Sequence, residues 1–184
     1  MELFTTPLSG LYLLKRSPKG DSRGFIERLF CQKTFSAILA NRTIRQINRS
    51  FTAAECTVRG LHFQFQPHAE MKIVSCIKGE VFDVAVDLRK DSPTFLHHYS
   101  KILSEENMSS LVIPEGFAHG FQTLTNDSEM LYLHTADYQP DEEGALNALD
   151  PRLAIEWPRD VTHRSYRDSQ HAMIPDNFFG IDAS

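Results

Sequence analysis

The sequence predicts a mainly β fold, a sandwich or barrel of short strands with few helices. Short apolar runs rich in valine, isoleucine and phenylalanine recur along the chain. Turn residues cut them at intervals of roughly ten positions, the spacing of an all-β domain. Helical periodicity is sparse. At 184 residues the chain is long enough for a full core. It reads as one domain, residues 1–184, with residues 158–184 as a packed tail.

Taken in order, "KTFSAILANR" (33–42) is the best helical segment, a short one. "RGLHFQ" (59–64) reads as a strand. Strict alternation puts Gly60, His62 and Gln64 on one face and Arg59, Leu61 and Phe63 on the other. The histidine is then turned toward the polar face, beside a glycine that leaves room. "KIVSCI" and "EVFDVAVDL" (within 71–95) are strands joined at Lys78-Gly79, which reads as a hairpin turn. In the second of them Phe82, Val84, Val86 and Leu88 form an apolar face. Val81, Asp83, Ala85 and Asp87 form a small, acidic one, suited to a cavity wall or to solvent. Further strands fall at 97–103, 110–116, 119–125 and 128–138. "LSEENMSS" (103–110) reads as one turn. The tail from Pro158 is polar and irregular, but Phe178 and Phe179 suggest that it packs on something.

Composition narrows the function. The net charge of -5, with 41% hydrophobic and 23% charged residues, implies no general attraction to nucleic acid or to an anionic membrane. The three cysteines, Cys31, Cys56 and Cys76, are isolated, which fits a reducing compartment better than a disulfide framework. No signal peptide is evident, and no run approaches the ~20 apolar residues of a membrane helix. A soluble cytoplasmic protein is expected.

Several residues could carry chemistry. His62 lies two residues after a glycine and His119 directly before one, on separate strands, and "PHAEMK", "LYLHTADY" and "RSYRDSQH" add His68, Glu70, Lys72, Tyr132, His134, Tyr138, Arg167, Asp168 and His171. A metal site could use His68, Glu70 and His119, but the close His-x-His pair common in such sites is missing, because Gln64 follows His62. Acid–base chemistry fits better. Removing a proton next to a ketone needs a base with a pKa near neutrality, for which histidine is suited. An orienting carboxylate could be Asp168 or Asp83. Lys72 could hold the developing enolate oxygen. Tyr132 could return the proton from the opposite face.

"DSRGF", "QINRS", "RGLHFQ", "KGEVFDVAVDLRKDSPTF", "LSEEN", "IPEGFAHGF", "LYLHTADYQPDEEG", "DPRLAIEWP" and "SYRD" follow one another as in the dTDP-4-dehydrorhamnose 3,5-epimerase family. The chain resembles that family from about residue 2 to about residue 170. The resemblance implies a cupin-type double-stranded β-helix (a jelly roll) with short peripheral helices. It also implies a homodimer, a nucleotide-sugar substrate, and no metal or organic cofactor. By the same resemblance His62 is the base, Asp168 its dyad partner and Tyr132 the proton donor. Lys72 and His119 surround the sugar and its 4-keto oxygen. Arg59 and Arg23 match substrate and phosphate contacts, Gln46 and Asn48 the nucleotide side, and Tyr138 the ring near the nucleobase. Glu143 and Arg167 fall on further substrate contacts, the latter usually lysine.

The chain departs from the family pattern in places. Arg28 stands where a glutamate that helps hold the nucleotide is common. Leu133 replaces a common lysine, "GALNALDP" a tryptophan-containing run, and "SFTAAECTVRG" has one extra residue. These changes are expected on the nucleotide side and near the rim. The implied function is inversion of C3 and C5 of dTDP-4-dehydro-6-deoxyglucose. The alternatives are a mono-epimerase acting on another sugar nucleotide, or a catalytically silent sugar-nucleotide-binding cupin.

Overall fold

The computed structural model describes residues 1–183. Its strands are β1 (Glu2–Thr5), β2 (Tyr12–Lys15), β3 (Lys19–Asp21), β4 (Gly24–Ile26), β5 (Gln46–Thr52), β6 (Val58–Gln64) and β7 (Lys72–Lys78). They continue as β8 (Glu80–Asp87), β9 (His98–Ser104), β10 (Ser109–Ile113), β11 (Phe117–Thr123), β12 (Ser128–His134) and β13 (Glu143–Ala145). The two α-helices are α1 (Gln32–Leu39) and α2 (Tyr166–Gln170). One sheet runs β1-β2-β10-β7-β12-β5 and faces a second, β13-β6-β11-β8-β9, while β3 and β4 form a separate hairpin. All strand pairs within the sheets are antiparallel. This is the expected mainly β jelly roll.

Three apolar clusters explain why the strands read as they do. Between the sheets, Val74, Cys76, Leu111 and Met130 meet Val81, Ala85, Leu103, Phe117 and Phe121. Burial there pushes the Cys76 thiol up to about 12, so it packs as a small apolar group. Outside the second sheet, Val58, Leu61, Val84, Val86 and Leu88 are covered by Leu146, Leu153, Ile174, Ile181 and Phe178. Phe178 therefore packs as expected, whereas Phe179 stays exposed. The Asp83 face of β8 points inward, and the opposite face is covered by the tail rather than by water.

The third cluster lies outside the first sheet, where Leu14, Ile73, Val112 and Leu133 pack on Phe35 and Leu39 of α1. Phe35, Ile38 and Leu39 recur at helical spacing, so one stripe of α1 is apolar. Full burial of each of the larger side chains is worth about 1.5–3 kcal/mol. The helix ends sooner than its pattern suggests, because Ala40 takes a positive φ of 50°.

Two local expectations need correction. The Lys78-Gly79 turn does not close a hairpin. β7 pairs with β10 and β12, β8 with β11 and β9, so the turn passes the chain from one sheet to the other. Both strands are largely buried on both faces, and period-2 patterning then carries no information about the neighbour.

The alternation along β6 also breaks. His119 pairs with His62 but Phe121 pairs with Arg59, so β6 has one residue more than β11 over this stretch, a β-bulge. Arg59 thereby joins His62 and Gln64 on the cavity wall. Gly60 sits in the bulge at φ +111°. A Cβ there would lie 2.6 Å from the His119 carbonyl oxygen and 2.7 Å from Gly120 Cα. The room beside His62 is thus filled by the backbone of β11.

Gly60→Ala should lower the melting temperature by about 5 °C or more, or prevent folding. Thermal unfolding followed by circular dichroism checks this. An unchanged transition would mean that β6 and β11 do not approach so closely.

Candidate active site

A cavity of about 400 Å³ opens between the sheets. Its walls come from both. β6 and β11 bring Arg59, His62, Gln64 and His119; β5, β7 and β12 bring Asn48, Ser50, Lys72, Tyr132 and His134. β13 and α2 complete it with Glu143, Arg167 and Asp168, and Tyr138 stands at the loop before β13. Alternation on β5 and β12 explains the second wall: Asn48 and Ser50 share a face, as do Tyr132 and His134.

Two histidine–carboxylate pairs lie side by side, because His62 and His119 are directly opposed across β6 and β11. His62 Nε2 is 2.8 Å from Asp168 Oδ1. Asp168 Oδ2 also accepts the Gly60 N–H at 3.3 Å. Ser165 caps α2 by accepting the Asp168 N–H, which places the carboxylate. Burial pushes the Asp168 carboxyl up, but the His62 ring and the Gly60 N–H outweigh it and hold it below the usual range. In neutral His62 the Nε2–H donates to Asp168, leaving Nδ1 as the basic nitrogen. His119 Nε2 lies 2.9 and 3.0 Å from the two oxygens of Asp83. There burial dominates and raises the Asp83 carboxyl despite His119. So Asp168, not Asp83, partners His62.

Across the cavity, Tyr132 Oη is 3.1 Å from Ser50 Oγ, and its ring lies edge-on to His119 with centroids 6.2 Å apart. Burial pushes the Tyr132 hydroxyl well above the ordinary tyrosine value, with Ser50 only partly opposing. It therefore holds its proton at neutral pH. Lys72 Nζ forms an ion pair with Glu70 Oε1 at 3.1 Å and donates to the His62 carbonyl at 3.4 Å.

The mouth is polar. Arg59 is fixed by donating to Thr52 Oγ1 and the Phe51 carbonyl. Tyr138 Oη and Arg167 Nη2 both donate to Glu143 Oε2, at 2.7 and 2.5 Å. Burial pushes the Glu143 carboxyl up, but Arg167 and Tyr138 outweigh it and hold it down. Gln46 accepts the Tyr138 N–H and Gln64 the Gln139 N–H, so both glutamines hold the loop bearing Tyr138.

The structure thus brings together Asn48, Arg59, His62, Lys72, His119, Tyr132, Tyr138, Glu143, Arg167 and Asp168, with Gln46 one bond behind. Arg23 and Arg28 lie elsewhere. Arg23 is exposed on the β3–β4 hairpin and pairs with Asp21. Arg28 lines a separate depression with Lys19, Ile26 and Glu27. Leu133 does not lie at the rim either; it is buried beneath α1. In "GALNALDP", Leu146 and Ala148 pack under the tail, and Asn147 bonds Arg164 and the His171 carbonyl.

Ser50 has no role assigned from sequence, His134 only a place among the candidates, and Glu70 only that of a candidate metal ligand. The alternation of "QINRS" and "LYLHT" was the available signal for Ser50 and His134. The only three-residue cluster of potential metal ligands among the described residues is His62, Asp168 and His171. His171 Nε2 stands 3.9 Å from Asp168 Oδ1, which already binds His62. No helix among the described residues is long and apolar enough to cross a membrane.

The depressed Asp168 carboxyl has a consequence in acid. Its folded pKa lies below the unfolded value of about 3.9. The stability it contributes is complete above that value and is lost as pH falls through the folded pKa. Asp168→Asn should therefore flatten the fall of melting temperature below about pH 4. An acid limb identical to wild type would mean that Asp168 is not held ionised by the fold.

Comparison with known proteins gives the family. The family described as dTDP-4-dehydrorhamnose 3,5-epimerase matches residues 5–176. The dTDP-4-dehydrorhamnose 3,5-epimerase of Salmonella typhimurium is 43% identical over 159 residues, 86% of this chain and 86% of that protein. A Bacillus anthracis dTDP-4-dehydrorhamnose 3,5-epimerase, crystallised with TDP and PPi, superposes with a TM-score of 0.90 at 35% identity, covering 94% of this chain and 99% of that one. A Legionella pneumophila dTDP-6-deoxy-D-glucose-3,5-epimerase in complex with dTDP-4-keto-L-rhamnose gives 0.89 at 37% identity, covering 94% and 92%. With its cupin-type jelly roll and a match over nearly its whole length, this chain belongs to the dTDP-4-dehydrorhamnose 3,5-epimerase family of isomerases.

Proposed function

We propose that this protein, as a single domain, inverts C3 and C5 of dTDP-4-dehydro-6-deoxyglucose to give dTDP-4-dehydrorhamnose. One observation carries the reading: His62 of one sheet, paired with Asp168 of α2, and a proton-retaining tyrosine on the other sheet line the same cavity. A sugar ring between them meets a base on one face and an acid on the other.

The 4-keto group acidifies the protons at C3 and C5. His62 takes one of them, and Asp168 stabilises the resulting imidazolium. Negative charge passes to the C4 oxygen, where Lys72 and His119 are placed to meet it. Tyr132 returns a proton to the carbon from the opposite face, which inverts the centre. The His62 proton goes to solvent and Tyr132 regains one from it, so each turnover exchanges hydrogen with water. Each proton transfer gains about 10²–10⁴-fold from such groups. Repeating the cycle at the second carbon requires the ring to reorient. The ketone itself stabilises the carbanion, so the reaction calls for no metal or organic cofactor.

Asn48, Gln46, Tyr138, Arg59, Arg167 and Glu143 form the nucleotide side of this reading. Arg23 and Arg28 lie outside the cavity, so they serve as substrate contacts only if supplied by a second copy. A homodimer accommodates this. The β3–β4 hairpin exposes Phe25 and Ile26, and the edge strand β5 exposes Ile47 and Phe51, apolar surface suited to burial against a partner. The unpaired cysteines agree with a cytoplasmic setting.

Hydrogen exchange in D₂O, followed by NMR at C3 and C5 of dTDP-4-keto-6-deoxyglucose, tests the reaction. Deuterium at both carbons with a new configuration is expected; deuterium at one alone would make the protein a mono-epimerase. Exchange should fall about 10²-fold or more in His62→Ala, and persistence at the wild-type rate would assign the base elsewhere. Tyr132→Phe should keep washing label out of substrate while product formation fails. Equal loss of both would leave Tyr132 only a positioning role. Light scattering checks the dimer, and a monomer at micromolar concentration would remove it.

A further inference from the structure

Lys72 raises a physical problem. A lysine ammonium is a point charge on a flexible stem with three donors, yet catalysis needs it fixed before charge develops. Two of its donors have acceptors in the fold, Glu70 Oε1 and the His62 carbonyl. The third remains for a ligand.

Glu70 is itself held. Its Oε2 accepts from His134 Nδ1 at 2.7 Å. On the far side of that ring, His134 Nε2 is 3.4 Å from Asn48 Nδ2. In the neutral ring both neighbours specify one tautomer: Nδ1–H donates to Glu70, and Nε2 accepts from Asn48. The His134 ring also stacks on Tyr132, with centroids 6.0 Å apart and planes 23° from parallel. Register makes this arrangement necessary, because β12 sets His134 directly opposite Lys72 on β7. Lys72, Glu70 and His134 all have side chains at most 12% exposed, so solvent does little to loosen them. Burial pushes the Glu70 carboxyl up, but His134 and Lys72 outweigh it and keep it ionised.

We propose that Glu70 and His134 are positioning residues for Lys72: His134 fixes the Glu70 carboxylate, and Glu70 fixes the ammonium with one donor left free for the enolate oxygen. The chain of contacts Asn48–His134–Glu70–Lys72 also links the nucleotide side of the cavity to the reacting sugar. The inference rests on Lys72 meeting the C4 oxygen.

Steady-state kinetics of the full-length protein, with dTDP binding measured by calorimetry, provide the test. His134→Leu keeps an apolar body beside Tyr132 but cannot bond Glu70. It should lower kcat about 10- to 100-fold, with KM and dTDP affinity within about threefold of wild type. His134→Gln restores a donor and should recover most of kcat. Glu70→Gln, nearly isosteric, should behave like His134→Leu and serves in its place if that variant melts early. In a Lys72→Met background, His134→Leu should cost nothing further, since residues acting as one unit are not additive. Full activity of both His134→Leu and Glu70→Gln would overturn the inference, and so would a loss that multiplies with Lys72→Met. Absence of exchange in the wild-type protein would instead overturn the epimerase reading itself.

Discussion

The close approach of β6 and β11 at Gly60 and Gly120 is the constraint on which the site depends. A Cβ on Gly120 would lie 2.6 Å from the Arg59 carbonyl oxygen, just as one on Gly60 would strike the His119 carbonyl. Two bare backbones meet where most strands would hold side chains apart. The bulge that results moves Arg59 onto the cavity wall and leaves His62 facing His119. It also frees the Gly60 N–H to bind Asp168. Thus one backbone feature aligns His62, the Asp168 carboxylate and the Arg59 guanidinium at the mouth.

The charges within the cavity are arranged by the same logic on both walls. Asp168, Glu70 and Glu143 are kept ionised against the effect of burial, each by a histidine, lysine or arginine in contact with it. Asp83, enclosed and facing only His119, goes the other way. Tyr132 is pushed toward its neutral form for want of a nearby cation strong enough to favour the phenolate. Burial is common to all five groups; their hydrogen-bond partners decide which form each keeps. The proposed transfer of a proton from one side and to the other calls for such unequal neighbours.

Much of this was legible in the sequence, and the omissions have definite causes. The positions of β6 to β12 followed from alternation and turn residues, because a sandwich buries regular faces; β1 to β5 and β13, short or largely exposed, did not. Neighbour relations did not follow: β7 and β8 are buried on both sides, so nothing local shows that Gly79 carries the chain between sheets. Arg59 was assigned to the wrong face because a bulge is invisible to a period-2 rule. Leu133 read as a substitution at the rim, yet it faces α1, one position out of phase with Tyr132 and His134. The resemblance supplied the dyad, which spacing could not, since Asp168 and Asp83 were equal candidates until the tail was seen to fold over β6. Glu70 and His134 were visible as residue types, but their joint role depends on the register of β7 with β12.

The tail that covers the second sheet also sets an order of events in time. Asp168 lies 106 positions after His62, beyond every strand of both sheets. As the chain is synthesised, the cavity walls, the lysine and the tyrosine all emerge before the carboxylate that gives His62 its tautomer. The His62–Asp168 pair, the base of the proposed reaction, is thus completed last, by the same segment that seals the apolar outer face of its sheet.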